Sequence, residues 1–335
     1  MGRKAITIRD VAREAEVSIA TVSRVINGHT VPGNKTASKV LKAAQKVGYT
    51  IAGLQAENSR RTVLAIIHDT NVEYLDRVLG GIYRASRQLN YDVAIHVIRD
   101  RDFEHKDFLK LAKVVSASGI IFVSACVPSS IIRAVEATIP VVKCVDVLED
   151  DDITCVGIND RAAFSTLTSY LISTGRTKIA LMRAPLMGNI ADYREAGFRE
   201  VIRQHNLPLR PEWISPLIQR NEGIADYNHV SYYVQTLLSA EERPDAIMCT
   251  IDNDAAMVVK AVHRMGFRVP EDVAVTGFYN LHIAQLLHPE LTTVETHAVD
   301  IGNTAMHMLD ERIKNPFLPH ARLYTNAEII VRKST

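Results

Sequence analysis

The segment from Thr7 to Tyr49 constrains this chain more than any other. Thr7 is placed to cap a helix, and Asp10, three positions on, to close a capping box. Val11, Ala12 and Ala15 then form an apolar stripe at helical spacing. Glu16-Val17-Ser18 interrupts the period, and Ser18 suits the N-cap of a second helix. Val22, Val25 and Ile26 face inward, which leaves Ile19, Ala20, Ser23, Arg24 and Asn27 on or near the outer face. A third helix, about Asn34 to Val47, offers Val40, Leu41, Ala44 and Val47 to the same small core. Two helices joined by a tight turn, the second with small, hydroxyl-bearing and basic side chains outside, form the pattern of a helix-turn-helix reader of the major groove. A basic three-helix module that binds protein is the competing reading.

Charge favours nucleic acid. Residues 1–62 hold eleven Lys and Arg against four Asp and Glu, a net +7, while the whole chain is +1, leaving −6 for the remainder. A basic head on a mildly acidic body implies phosphate contacts from the head alone.

The string T-I-x-D-V-A…V-S-x-x-T-V-S-R-V-x-N resembles the DNA-binding headpiece of the LacI/GalR family of bacterial transcription regulators. The resemblance implies that Ile19, Ala20 and Arg24 touch base edges. It implies that Ser18, Thr21, Ser23 and Asn27 mostly position the phosphate backbone. Thr7 and His29 complete the expected DNA-facing set. Ile19 and Ala20 are apolar, so they would read a thymine methyl or act by exclusion. In the family, the residues after the third helix form a hinge helix whose leucine wedges into the minor groove. Here that position holds Asn58, a poor wedge, the usual proline is Ile51, and the linker is about two residues short. Leu54 is the alternative wedge.

After Arg61 the texture changes. Apolar runs of strand length at 63–67, 93–98, 119–123, 141–142, 178–182, 245–249 and 273–276 alternate with helix-like stretches such as 75–89, 104–117 and 129–138. Such alternation predicts parallel sheets covered on both faces, arranged in two lobes divided near residue 158. The body also resembles the effector-binding core of the same family, itself similar to periplasmic sugar-binding proteins. Ile139-Pro140-Val141-Val142, Arg194-Glu195-Ala196-Gly197-Phe198, Val269 to Phe278 and Leu291-Thr292-Thr293-Val294 carry that likeness. The expected architecture is therefore α/β: a small all-α headpiece (1–49), a hinge linker (50–62), and two Rossmann-like parallel-sheet lobes. The first takes 63–158 plus about 291–320, and the second 159–290 plus about 321–335.

Ligands in open parallel sheets bind beyond the carboxyl ends of the strands. That rule makes Asp69 to Tyr74, Asp146 and Asp252 candidates around a cleft. By resemblance, Asp252 matches the acid of an N-D-x-x-A pattern and Arg194 the arginine of R-x-x-G-F. A carboxylate and a guanidinium suit a sugar or nucleoside. Tyr74 falls where the family often has a stacking aromatic, and Tyr227 is a further candidate. Other readings stay open: Asp146 as a helix cap, Arg194 paired with Glu195 or Asp192, Tyr74 as lobe core, Asp254 in place of Asp252. Three departures stand out. N-P-F-F is replaced by Val72-Glu73-Tyr74-Leu75, which puts Glu73 at the pocket mouth or in solvent. G-F-D becomes Gly277-Phe278-Tyr279. V-x-x-D-N becomes Val156-Gly157-Ile158-Asn159-Asp160.

Four cysteines sit in apolar contexts without metal-ligand spacing, as expected of reduced core thiols. The twelve histidines form no H-E-x-x-H, and neither a G-x-G-x-x-G after a strand, a Walker A loop nor a G-x-S-x-G elbow is present. No catalytic residue, metal or cofactor is expected, and no apolar run approaches a membrane span. The expected partners are a double-stranded operator, a small effector and a second copy of the chain. The expected place is the cytoplasm, on the nucleoid when DNA-bound. An effector-independent architectural DNA binder and an α/β enzyme with a DNA-tethering head are the alternatives.

Overall fold

The structure, a computed structural model, describes the chain outside residues 1–7, 27–34, 48–60, 69–71, 99–102, 125–126, 146, 148–151, 185–189, 219 and 222–223. It divides into a unit ending at Arg61 and a unit from Thr62 to Thr335.

The first unit holds α1 (Ile8–Glu14), α2 (Ile19–Ile26) and α3 (Lys35–Val47). Val11, Ala12, Ala15, Val22, Val40, Ala43 and Ala44 form its core, with Val17, Val25 and Val47 packed around them. The turn after α1 is built by Glu16 at φ +50. The Val17 amide reaches back to the Ala12 carbonyl at 3.1 Å and the Glu16 amide to Arg13 at 3.3 Å, the paired bonds of a Schellman closure. Ser18 then caps α2: its Oγ accepts from the Thr21 amide at 3.1 Å. Lys39 and Lys46 on α3 pair with Glu16 and Glu14 at 2.8 and 2.7 Å, tying the third helix to the first. Asp10 pairs with Arg13 within the helix; Thr7, the other half of the expected capping box, lies outside the described residues.

The second unit opens with a six-stranded sheet of order β12-β5-β4-β3-β1-β2. Its strands are β1 (Arg61–His68), β2 (Tyr91–Ile98), β3 (Ala117–Val123), β4 (Val141–Val145), β5 (Cys155–Gly157) and β12 (Arg322–Tyr324). The neighbours β1/β3, β3/β4, β4/β5 and β5/β12 run parallel, with Ile66 opposite Phe122 and Ile121 opposite Val142. Alternate residues feed opposite faces. Leu64, Ile66, Ile120 and Phe122 meet α5 (His105–Val114) and α6 (Ser129–Glu136) through Phe108, Ile132 and Val135. Val63, Ile121 and Val142 meet Val78 and Ile82 of α4 (Val72–Gln88) and Ile301 and Leu309 of α12 (Ala298–Lys314). Burial on both faces explains why these strands read as unbroken apolar runs.

A second, three-stranded parallel sheet has the order β10-β9-β6, from β6 (Ile179–Met182), β9 (Ala246–Cys249) and β10 (Ala274–Thr276). The helices α7 (Asp160–Ser173) and α8 (Ile190–Gln204) supply Phe164, Leu167, Phe198 and Ile202 to one face. The helices α9 (Tyr227–Ser239) and α10 (Asp252–Arg264) supply Val230, Val234, Val258 and Val262 to the other; the short strands β7 (Arg220–Asn221) and β8 (Ile224–Ala225) pair antiparallel, and a short helix α11 (Ile283–Leu286) follows β10. The first of these clusters is continuous with the core of the six-stranded sheet through Tyr74, Phe278, Tyr279 and Leu281. The two lobes therefore share buried apolar surface at their junction.

One boundary is corrected. The return to the second lobe was expected at about residue 321, but β12 stays in the first sheet. It fills the open edge of β5, with the Cys155 amide donating to the Ala321 carbonyl and the Thr325 amide to Gly157. An unfilled edge would leave a row of backbone groups unpaired. The crossing comes next: β13 (Glu328–Ile330) pairs antiparallel with β11 (Thr293–Glu295). Ser334 then anchors to the second lobe through the Thr292 amide and the Val275 carbonyl.

Candidate functional site

Two regions gather the residues singled out in the sequence. On α2, Ser18, Ile19 and Ala20 are exposed, Ile19 at 47%, while Thr21 and Ser23 are half-buried. The Ser18 hydroxyl is engaged in the cap and lies 2.8 Å from Thr21 Oγ1. A helix whose first turn exposes small and branched apolar side chains, and whose inner face carries Val22, offers a smooth edge to a groove. The Arg24 side chain, Asn27, His29 and the linker residues Leu54 and Asn58 lie outside the described residues.

The second region is the junction of the lobes. Among the described residues, a small opening there is lined by Val147 and Tyr324 from the first lobe and by Asn159, Asp160, Arg161 and Tyr193 from the second. Beside it sits Arg194, only 1% exposed, on the inner face of α8. Its Nε donates to Asp160 Oδ1 at 2.7 Å, its Nη1 to the Thr250 carbonyl at 2.6 Å and its Nη2 to the Tyr279 hydroxyl at 2.8 Å. The guanidinium lies 3.9 Å from the Phe278 ring centroid and 4.8 Å from that of Tyr279. The alternative pairing with Glu195 or Asp192 is not taken by Arg194; those acids pair with Arg183. Gly197 lets α8 approach α7 here, since a Cβ on it would sit 2.2 Å from the Arg161 carbonyl.

The swapped pair Asn159-Asp160 divides two tasks. Asn159 caps α7, its side chain accepting from the Ala162 amide at 2.9 Å. Asp160 takes Arg194. Burial pushes the Asp160 carboxyl up from its usual range, opposed by the Arg194 charge and hydrogen bond.

Asp252, at the first turn of α10, has no exposed surface. Its Oδ1 accepts from the Thr293 hydroxyl and its Oδ2 from the Leu281 amide, both at 2.6 Å. Burial pushes its pKa up to about 7, against those hydrogen bonds and the charge of Arg332. Gly277 makes the approach possible: a Cβ there would stand 2.0 Å from Asp252 Oδ1. Asp254 is equally buried.

Tyr74 is 4% exposed and stacks on Tyr279 with ring centroids 4.2 Å apart. Burial raises its phenol well above the usual value. Tyr279 holds a left-handed backbone, φ +96, followed by Asn280 at +48. This arch is gripped from the first lobe. Arg77 on α4 donates to the Tyr279 and Asn280 carbonyls at 3.0 and 3.2 Å, and the His282 amide donates to Glu73 Oε1 at 2.6 Å. Arg77 also meets both oxygens of Glu295 at 2.9 Å. Burial alone would raise the Glu295 carboxyl, but hydrogen bonds from Asn280, Arg77 and the His297 amide hold it below its usual value.

The structure thus brings Tyr74, Arg194 and Asp252 to one junction and shows each engaged within the chain. Tyr227 starts α9 and lies under Lys260 Nζ, 4.6 Å from its ring centroid, with Arg264 beside it. Glu73 is half-buried and accepts from the His282 backbone amide. Asp69 and Asp146 lie outside the described residues. The sequence reading missed Asp160, Tyr279 and Arg77. The first two were visible only as departures from a pattern, and Arg77 carried no signal. Among the described residues no group of His, Cys, Asp and Glu could hold a metal. No helix among them is long and apolar enough to cross a membrane. Cys144, Cys155 and Cys249 are buried, and Cys126 lies outside the described residues.

Comparison with known proteins places this geometry. Residues 7–51 match the bacterial regulatory proteins of the lacI family, and residues 168–335 match a periplasmic binding protein-like domain. The transcriptional regulator RegA of Clostridium acetobutylicum is 30% identical over 319 residues, 91% of this chain and 92% of that protein. The transcriptional repressor CytR of Escherichia coli (strain K12) is 26% identical over 335 residues, 99% and 96% respectively. Among solved structures, the lac repressor dimer bound to operator and the anti-inducer ONPF superposes with a TM-score of 0.70 at 20% identity, covering 99% of each chain.

Proposed function

This chain belongs to the lacI family of bacterial regulatory proteins, and from that premise we propose that it is a transcriptional repressor whose hold on an operator is set by a small effector bound between its lobes. The observation that carries the DNA-binding half is the exposed N-terminal turn of α2, Ser18-Ile19-Ala20, held rigid by its cap and by the Glu16 turn. In this reading Ile19, Ala20 and Arg24 meet base edges, while Ser18, Thr21, Ser23 and Asn27 hold phosphates. Thr7 and His29 join them, and Leu54 is the minor-groove wedge.

Two copies would straddle a pseudo-palindrome, one headpiece per half-site; the lac repressor likeness, a dimer on its operator, supports that stoichiometry. The effector is a sugar, nucleoside or related metabolite. Its site lies at the junction of Tyr74, Arg194 and Asp252, with Asp69 and Asp146, which follow β1 and β4 in the sequence, and Tyr227 as further contacts. Binding there redistributes the junction's hydrogen bonds and changes how the lobes meet. Because the coupling is reciprocal, whatever the effector does to operator affinity, the operator does to effector affinity. The chain acts by binding, without catalysis, in the cytoplasm and on the nucleoid.

Selection of duplexes from random DNA with the full chain tests this. Enrichment of a two-fold motif whose affinity shifts with a sugar or nucleoside is the expected result. Absence of any enriched motif would refute it. A second reading, a DNA binder indifferent to metabolites, draws on the internal satisfaction of Arg194 and Asp252, and is favoured if a motif emerges that no ligand modulates.

A further inference from the structure

Arg194 is a buried cation, each of whose three nitrogens donates a hydrogen bond inside the chain. Its partners are Asp160 Oδ1, the Thr250 carbonyl and the Tyr279 hydroxyl, and its faces are covered by Phe278 and Tyr279. Asp160 also lines the opening between the lobes. The other cation of that lining, Arg161, is already met by Glu200 Oε2 at 2.9 Å. Among the described residues, the rest of the lining, Val147, Asn159, Tyr193 and Tyr324, is uncharged. A ligand entering here meets the Asp160 carboxylate, and the guanidinium groups described at this place, Arg161 and Arg194, each already have a carboxylate partner. Bringing an anion to such a place sets like charges together where water screens them poorly. An uncharged ring with hydroxyl groups meets no such cost, and carboxylate, amide and phenol groups can hydrogen-bond it.

We propose that Asp160 and Tyr279 are the specificity-determining residues of the inter-lobe site: by occupying Arg194 they restrict it to uncharged polar ligands and exclude anionic, phosphorylated ones. This rests on the effector-binding reading of the junction and narrows it. Tyr279 is well placed for the role, because its backbone is fixed by Arg77 and by the Val294 carbonyl while its ring bridges Tyr74 of the first lobe and Arg194 of the second.

Inorganic phosphate is the probe, titrated against the full chain and read as the shift in thermal midpoint over chloride of matched ionic strength. The wild type should show no saturable response. Asp160→Asn keeps the shape but leaves the guanidinium uncompensated, so phosphate should stabilise it saturably, with an apparent affinity at least about tenfold above any wild-type response. A saturable wild-type response, or a folded Asp160→Asn that responds no more than wild type, would overturn the proposal. If Asp160→Asn does not fold by circular dichroism, Tyr279→Phe, which frees only Nη2, is judged by the same two outcomes. Duplex binding is scored separately, so failure of the regulator reading leaves this result intact and distinguishable.

Discussion

The protonation of Asp252 gives the structure a measurable pH signature. The folded carboxyl titrates at about 7 against 3.8 for the unfolded chain, because burial outweighs its hydrogen bonds. The sign follows from proton counting. Between those two values the folded state holds a proton that the unfolded state has lost, so raising the pH favours unfolding. Each pH unit in that interval is worth about 1.4 kcal/mol, or about 4 kcal/mol across it, and the loss levels off above the folded value. Asp252→Asn is the matching perturbation. Its amide can donate to Thr293 Oγ1 and accept from the Leu281 amide, reproducing the protonated acid without titrating. Urea unfolding of both proteins from pH 4 to pH 8 reads the effect through Trp213, the one tryptophan of the chain, which is buried in the second lobe. The two should be close at pH 4, and the Asn variant should be the more stable by about 4 kcal/mol at pH 8. A stability difference that does not change with pH, or one in which the wild type gains as pH rises, would refute the reasoning.

Gly277→Ala should cost about 2 kcal/mol, seen as a lower thermal midpoint, since the new Cβ meets Asp252 Oδ1 at 2.0 Å and Leu291 Cδ2 at 2.7 Å. Arg77→Ala should destabilise by about 2 kcal/mol and, in a double-mutant cycle with Glu295→Gln, show coupling of about 1 kcal/mol or more; strict additivity would mean that the Arg77–Glu295 pair contributes nothing. Ser18→Ala should cost the headpiece about 1 kcal/mol and speed hydrogen exchange at the Thr21 amide, with Ser18→Asn restoring protection; unchanged exchange in the alanine variant would exclude the cap as the fastening of α2.

Much of the fold was legible because its signals are local. The apolar period of Val11, Ala12 and Ala15 marks α1, and the unbroken runs around Leu64 and Ile121 mark strands buried on both faces. β12 was not legible. Arg322, Leu323 and Tyr324 are all exposed, so they carry no burial pattern, and the strand exists because β5 needs an edge partner. Spacing also does not show that Asp10 has Arg13, one turn on, as a charged partner. At the junction, residue choice was visible and pairing was not. Arg194 and Asp252 announced themselves by type and position, while their partners Asp160, Tyr279 and Thr293 come from distant segments. The same holds for Tyr227, whose neighbours Lys260 and Arg264 come from α10, more than thirty residues on.

The departures at 160 and 279 are best understood as one change. A buried guanidinium needs about one carboxylate: with none it is an unpaired charge in an apolar site, and with two the acids repel and one must hold its proton. Asp160 with Tyr279 meets that condition, since the phenol offers Arg194 Nη2 an acceptor without a second charge. An acid at 279 beside Asp160 would oversupply negative charge, and an amide at 160 beside Tyr279 would leave none. Each departure is therefore tolerable only in the presence of the other. Tyr279 adds what an acid could not: a ring that stacks on Tyr74 and fills the apolar seam between the lobes. Glu73 and Arg77 act on the same loop from the first lobe, so a ligand that displaces the Tyr279 ring must also disturb the contacts by which α4 holds the arch. Coupling between the junction and the first lobe then follows from shared atoms, with no need for a distant relay.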